Sequence, residues 1–321
     1  MVQLSYKKEV HMNINKAHIA AFGYSIFVGI SFLITKLMIP HDSPSIILAH
    51  RFTIAFVVYL AYFYLTKTGI QITRKKMLSI LPLAPFYPLM FFILQAFGLK
   101  YASSSEAGII FATIPIITML LISLIGKRPS LVQSLSILLS VSGVLIGFIG
   151  NFDTLNFSSN SLGILLLFMS ALSFSIYTIL VKKAVTIVSI HELTFVNITI
   201  GFIGFNIIAL IESNDMMIFF IEYLQAFKSV TYAVCILYSG VIAMIGTSLF
   251  SNYALKHLSP SKFSVYTNLS TLISIVSGAV FLSEPLYINH YIGSAFILIG
   301  VISSNFSNII EKKTPLLLKR S

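Results

Sequence analysis

The 321-residue chain is 57% hydrophobic and 10% charged, with a mean hydropathy of +0.93, which is too little charge to cover a soluble domain of this size. Its formal net charge of +11 sits in short basic runs between apolar blocks, a pattern that reports membrane orientation rather than a nucleic-acid partner. One cysteine, Cys235, and seven scattered histidines without ligand spacing exclude a disulfide framework and predict neither a metal site nor a cofactor.

The apolar residues fall in blocks of roughly 20, the length that crosses a bilayer as a helix. The first, 17–38, is too long for a signal-peptide core and is followed by no small-residue cleavage pattern, so it is expected to stay in the membrane; it carries Tyr24. The second, 45–66, holds the pair His50 and Arg51. Arg51 falls about one and a half turns in, where its forked donors can hold a substrate carboxylate or phosphate, or where it can snorkel to the interface. His50 can titrate near neutral pH, but it points roughly 100° away from Arg51 around the helix.

The third block, 77–99, contains Gln95 and the prolines Pro82, Pro85 and Pro88, which should bend or interrupt it. The fourth, 103–125, opens on Ser103-Ser104-Ser105-Glu106 and contains Pro115, a candidate hinge. Glu106 is a proton-coupling candidate, yet Ser103 and Glu106 also fit a capping box, and that reading is preferred. The fifth block, 130–150, carries Gly143-x-x-x-Gly147, a small-residue motif for close helix approach.

The sixth and seventh blocks, 161–181 and 191–211, carry Tyr177 and then Glu192, Asn197 and Asn206. Glu192 is a second proton-coupling candidate or a cap-region carboxylate. Asn197 and Asn206 fall on nearly opposite helix faces, so one of them at most should line a central site. Residues 212–228 form the one long loop, whose Met216–Phe227 reads as an amphipathic piece lying over one entrance. The eighth block, 229–250, holds Tyr238; the ninth, 261–282, holds Tyr266 and Asn268; the tenth spans 286–307.

The predicted fold is an all-α integral membrane protein of ten transmembrane helices in two inverted five-helix repeats. Residues 17–150 form the first repeat and 161–307 the second, with tails at 1–16 and 308–321. Placing the amino terminus inside puts 17 of the 21 basic residues on the cytoplasmic side, so both termini are expected there. Leu99-Lys100-Tyr101-Ala102-Ser103-Ser104-Ser105 is echoed by Leu255-Lys256-His257-Leu258-Ser259-Pro260-Ser261, and the same spacing carries Pro129 onto Pro285. Five helices is an odd number, so the second copy enters the membrane from the opposite side. Halves related in that way can open one central site alternately to each face.

Several stretches together resemble the EamA-type members of the drug/metabolite transporter superfamily over nearly the full length. They are Ala49-His50-Arg51-Phe52, Gly98–Pro129, Tyr177–Lys183, Tyr253–Pro260, Phe281-Leu282-Ser283-Glu284-Pro285 and Gly293–Gly300. The resemblance implies a central cavity lined by blocks one to four and six to nine, with the fifth and tenth at the periphery, where they offer a surface for a homodimer. It implies a small-molecule substrate such as an amino acid, amine, nucleotide-like compound or drug, most often exported. The expected function is therefore secondary transport across the inner membrane by alternating access. The substrate-binding candidates are Arg51, His50, Gln95, Tyr24, Tyr177, Asn197, Tyr266 and Asn268, and the only other partner expected is the lipid bilayer. No Gly-x-x-x-x-Gly-Lys-Ser/Thr motif is present, so the energy should come from a gradient rather than ATP. The alternatives are an intramembrane enzyme, for which no nucleophile–base or His-Glu-x-x-His pattern is present, and a non-transporting scaffold.

Overall fold

The computed structural model describes residues 2–38, 41–67, 71–101, 110–126, 129–148, 161–225, 227, 229–282 and 288–318; Glu106 and Glu284 lie outside the described residues. Every regular element among them is helical: α1 (Val2–Met38), α2 (Pro44–Thr66), α3 (Arg74–Ile80), a π-helical turn (Pro85–Met90) and α4 (Phe91–Tyr101). Then follow α5 (Ile114–Leu124), α6 (Leu131–Phe148), α7 (Ser161–Ala184), α8 (Ile190–Ser213) and α9 (Met216–Gln225). The chain closes with α10 (Val230–Leu237), a second π-helical segment (Tyr238–Gly246), α11 (Thr247–His257), α12 (Pro260–Leu282) and α13 (Ile288–Leu318).

Among the described residues, 6 helices are long and apolar enough to cross a membrane: Asn13–Thr35, Pro44–Thr66, Arg74–Gly98, Ser161–Ala184, Ile190–Ser213 and Val230–His257. Other blocks appear as shorter apolar helices at Ile110–Leu124, Leu131–Ile146 and Ile288–Ser303. Boundaries follow local chemistry. Ser43 caps α2 by accepting from the Ile46 N–H, with Pro44 in the first turn where its missing donor costs nothing. Lys67 and Asn214 close α2 and α8 in the left-handed conformation.

The first half (α1–α6) and second half (α7–α13) are interleaved. α1 packs on α12 and α11, α2 on α8 and the second π-helical segment, α4 and α5 on α7, and α6 on α13. The largest core cluster accordingly draws Phe52, Tyr59 and Phe92 from one half and Phe174, Tyr177, Phe205 and Phe263 from the other.

Apolar burial gives helices little net attraction within lipid, so such contacts depend on close packing, which small residues permit. Gly143 and Gly300 sit where α6 crosses α13. A Cβ on Gly300 would come within 2.7 Å of both the Ser136 carbonyl oxygen and Ser140 Cβ, and one on Gly143 within 2.6 Å of the Gly293 carbonyl. The Gly143 face of α6 is therefore occupied by α13 of the same chain.

Backbone cannot yield as a flexible side chain can, so Gly300→Leu should lower the thermal stability of the detergent-purified chain by about 1–3 kcal/mol. Gly126→Asn is the control, because Gly126 is left-handed (φ 80°) with open space around it, a conformation that asparagine tolerates. Its melting temperature should stay close to that of the parent.

Candidate functional site

The third membrane segment is broken. Tyr87 lies in the π-helical turn with extended φ/ψ (−145°, 121°), between Pro85 and Pro88. Prolines leave the carbonyls of the preceding turn without donors, a costly state in a membrane unless neighbours supply them. The carbonyls that lose a proline donor here, Leu81 and Ala84, accept from the Ala84 and Leu89 N–H groups at 3.3 and 3.4 Å, and two α7 serines brace the break: Ser173 Oγ donates to the Phe86 carbonyl at 2.8 Å and Ser170 Oγ to the Phe91 carbonyl at 2.7 Å. The second irregular stretch, Tyr238–Gly246, lies between α10 and α11 and packs against α2. A Cβ on its Gly240 would meet the Arg51 carbonyl oxygen at 3.0 Å.

Arg51 stands between these two irregular segments. Its guanidinium carbon lies 5.4 Å from the Phe92 ring centroid, in cation–π range. Nη2 points at Met244 Sδ at 3.7 Å, and the Tyr87 and Tyr238 hydroxyls lie near enough to act on the charge. Nε is buried and has no hydrogen-bond partner. Among the described residues no carboxylate pairs with Arg51; the ion pair found there joins Lys76 to Glu192. The residue is half-buried overall; a guanidinium stays charged at physiological pH, and enclosing part of one without a carboxylate partner is unfavourable.

A polar chain continues from this group. Tyr87 lies against Tyr177, with ring centroids 4.7 Å apart. Tyr177 donates its hydroxyl to Asn252 Oδ1 at 2.9 Å and receives Asn197 Nδ2 at 3.3 Å, while Asn252 Nδ2 donates to Thr194 Oγ1 at 3.2 Å. Asn197 Oδ1 remains buried without a donor. Tyr24 of α1 borders the same group, interacting with Tyr87 and Tyr177.

Contacts between the halves tie the bundle on either side of this seam. At the end where α2 begins, His50 Nε2 bonds the Tyr223 carbonyl at 2.9 Å and Nδ1 meets the Tyr232 hydroxyl at 2.7 Å. A carbonyl only accepts, so Nε2 carries the hydrogen and Nδ1 receives the phenol. At the other end Lys76 Nζ lies 2.7 Å from Glu192 Oε1, and the Tyr59 hydroxyl lies 3.1 Å from His191 Nδ1. Glu192 also completes a capping box with Ser189.

The family model for the EamA-like transporter family matches this sequence twice, over residues 15–149 and 161–306. The chain belongs to the EamA-like transporter family. This EamA-like chain is 40% identical over 300 residues to the uncharacterized transporter YcxC of Bacillus subtilis, covering 93% of the chain and 95% of the relative. The uncharacterized transporter YyaM of the same organism is 27% identical over 302 residues, covering 92% and 94%. A solved crystal structure superposes with a TM-score of 0.68 over 90% of the chain and 97% of its own length, at 16% identity, which is a likeness of fold.

Of the residues singled out in the sequence, Arg51, Tyr24, Tyr177 and Asn197 come together in the EamA-like bundle. The others lie elsewhere. Both ring nitrogens of His50 are taken up by the tie just described. Tyr266 meets His18 Nδ1 at 3.0 Å. Asn268 donates to Ser140 on the peripheral helix α6 at 3.2 Å, and Asn206 bonds Thr53 at 3.0 Å. Gln95 is half-buried on α4, and Glu106 falls outside the described residues. Sequence reading passed over Tyr87, Asn252 and Thr194. Tyr87 has a legible signal, a tyrosine enclosed by two prolines in a membrane block. Asn252 and Thr194 lie near helix ends, where polar residues are ordinary.

Two measurements follow from this geometry. Replacing Arg51 by methionine removes an uncompensated charge among apolar neighbours, so the ligand-free chain should become more stable by about 1–4 kcal/mol. A comparable loss in thermal melting would mean that the guanidinium is held by structural partners. Asp42, in the turn before α2, has its carboxyl pushed up to about 6 by burial, with Glu222 adding to the rise and the Ser43 N–H opposing it. The folded state thus holds this proton more tightly than the unfolded one, so stability is greatest below the ordinary carboxylate value and falls as pH rises through about 6. Asp42→Asn should raise the melting temperature at pH ~7.5 and leave it unchanged at pH ~4.

Proposed function

We propose that the chain is a secondary transporter that exports a small polar or amphipathic metabolite across the inner membrane by alternating access. In this reading ten membrane helices form two inverted five-helix repeats, and both termini are cytoplasmic, as the basic residues favour. The family match in two copies supports the repeat. The observation that carries the reading is the buried polar seam around Arg51, between the halves and between two irregular helices. Transporters of this construction bind at the repeat interface, where discontinuous helices leave irregular backbone beside the site.

Arg51, Tyr24, Tyr177 and Asn197 are the proposed substrate contacts. The ties through His50 and through Lys76–Glu192 are the two gates that would break in turn. Glu192, engaged with Lys76 and Ser189, serves the second gate. A homodimer through α6 and α13 would use the faces of those helices turned away from their mutual glycine contact.

Untargeted metabolite profiling inside and outside cells, with the chain overexpressed against an empty vector, checks the proposal. At least one compound class should leave overexpressing cells faster. No change in efflux or uptake, with the protein present in the membrane, would remove transport as the function.

A further inference from the structure

Resting on that reading, we infer that the transported molecule is a small organic monoanion, a carboxylate with a largely apolar body, which serves as the missing counter-ion of Arg51.

The argument begins with charge. Of the acidic side chains placed by the structure, Asp42 and Glu222 lie together at the end where α2 begins, Glu212 and Asp215 are at the surface end of α8 and in the loop after it, and Glu192 is engaged with Lys76. None is a partner for Arg51, whose Nε is buried and unbonded. Nor do the neighbours replace a carboxylate. Met244 Sδ is a weak acceptor, Phe92 offers only its ring face, and tyrosine hydroxyls are neutral. A protein of marginal stability keeps such a charge where a bound species compensates it.

The shape and number of the charges narrow the ligand. A guanidinium presents parallel donors that match the two oxygens of a carboxylate. A phosphate monoester carries nearly two charges at neutral pH, and among the described residues no second cation is recorded beside Arg51. A cationic ligand would add like charge beside a half-buried guanidinium. Around the charge stand Phe92, Tyr87 and Tyr238, with Tyr177 and Tyr24 next to Tyr87, so the part of the ligand behind its carboxylate meets mostly ring surface. Asn197 Oδ1, buried without a donor, leaves one acceptor for a single N–H or O–H on that body.

The test is binding to the purified full chain, followed by calorimetry and thermal melting, with acetate, butyrate, benzoate and phenylacetate as carboxylate probes. Benzamide, benzylamine, phenyl phosphate and sodium chloride are the comparators. At least one of the larger carboxylates should bind saturably, and at least about tenfold tighter than its neutral amide. Arg51→Gln should abolish that preference, and Arg51→Lys should keep it in weakened form. The inference fails if none of the carboxylates binds, or if benzamide, benzylamine or phenyl phosphate binds as tightly as benzoate. It fails equally if chloride alone stabilises the chain as much as any carboxylate, or if Arg51→Gln keeps the preference.

Flux separates this from the broader reading. A neutral or cationic compound exported at an unchanged rate by Arg51→Gln would leave transport standing and remove the carboxylate. Carboxylate binding without efflux or uptake of any compound would do the reverse.

Discussion

Two serine hydroxyls on α7 hold together a helix that its own sequence breaks. Ser170 and Ser173 donate to the Phe91 and Phe86 carbonyls beside the break, adding side-chain partners to backbone that the prolines around Tyr87 disturb. In hydrocarbon no water can pair such backbone, so a break is tolerated where shifted local bonds and neighbouring helices supply donors, as both do here. The centre is arranged around this braced break. It lets Tyr87 turn out of the helical path to meet Tyr177, and it sets α4 so that Phe92 lies under Arg51.

The same economy runs through the bundle. Each half lacks a core of its own, because its helices bury their faces mainly against the other half. The seam between halves is thus the interior of the protein, and polar groups placed there are shielded from water without being enclosed by one rigid unit. Among them Arg51 and the Asn197 Oδ1 are left without full partners. Tyr177, Asn252, Asn197 and Thr194 answer one another, whereas the guanidinium faces sulfur and rings. An unbalanced charge of this kind is weak evidence for stability and better evidence for a ligand.

Much of the architecture was legible in the sequence, for physical reasons. A stretch of roughly 20 apolar residues has few alternatives to a membrane helix, and Pro82, Pro85 and Pro88 announced an interruption that the structure contains. Arg51 stood out because ionisable residues are rare in such blocks. The partners of individual polar residues were harder to read. Helical spacing says which residues share a face, but not which neighbouring helix meets that face. His50, Tyr266 and Asn268 have the same character in sequence as Tyr177 and Asn197, yet they bond Tyr232, His18 and Ser140, outside the group around Arg51 and Tyr177. Asn252 and Thr194 were invisible for the converse reason, since each is ordinary near a helix end and becomes part of the network only through Tyr177.

The serine repair also fixes how the molecule can be divided into moving parts. α4 belongs to the first half by sequence, but its Phe91 carbonyl accepts from Ser170 on α7 of the second, and a Cβ on Gly98 would collide with Leu167 at 2.7 Å. Sliding α4 past α7 would break the Ser170 bond to the Phe91 carbonyl and drive the close-packed Gly98 face against Leu167. These two helices therefore travel as one body. Under the proposed alternating access, the dividing line would pass beside this pair rather than between them, so the mechanical halves would not be the sequence halves.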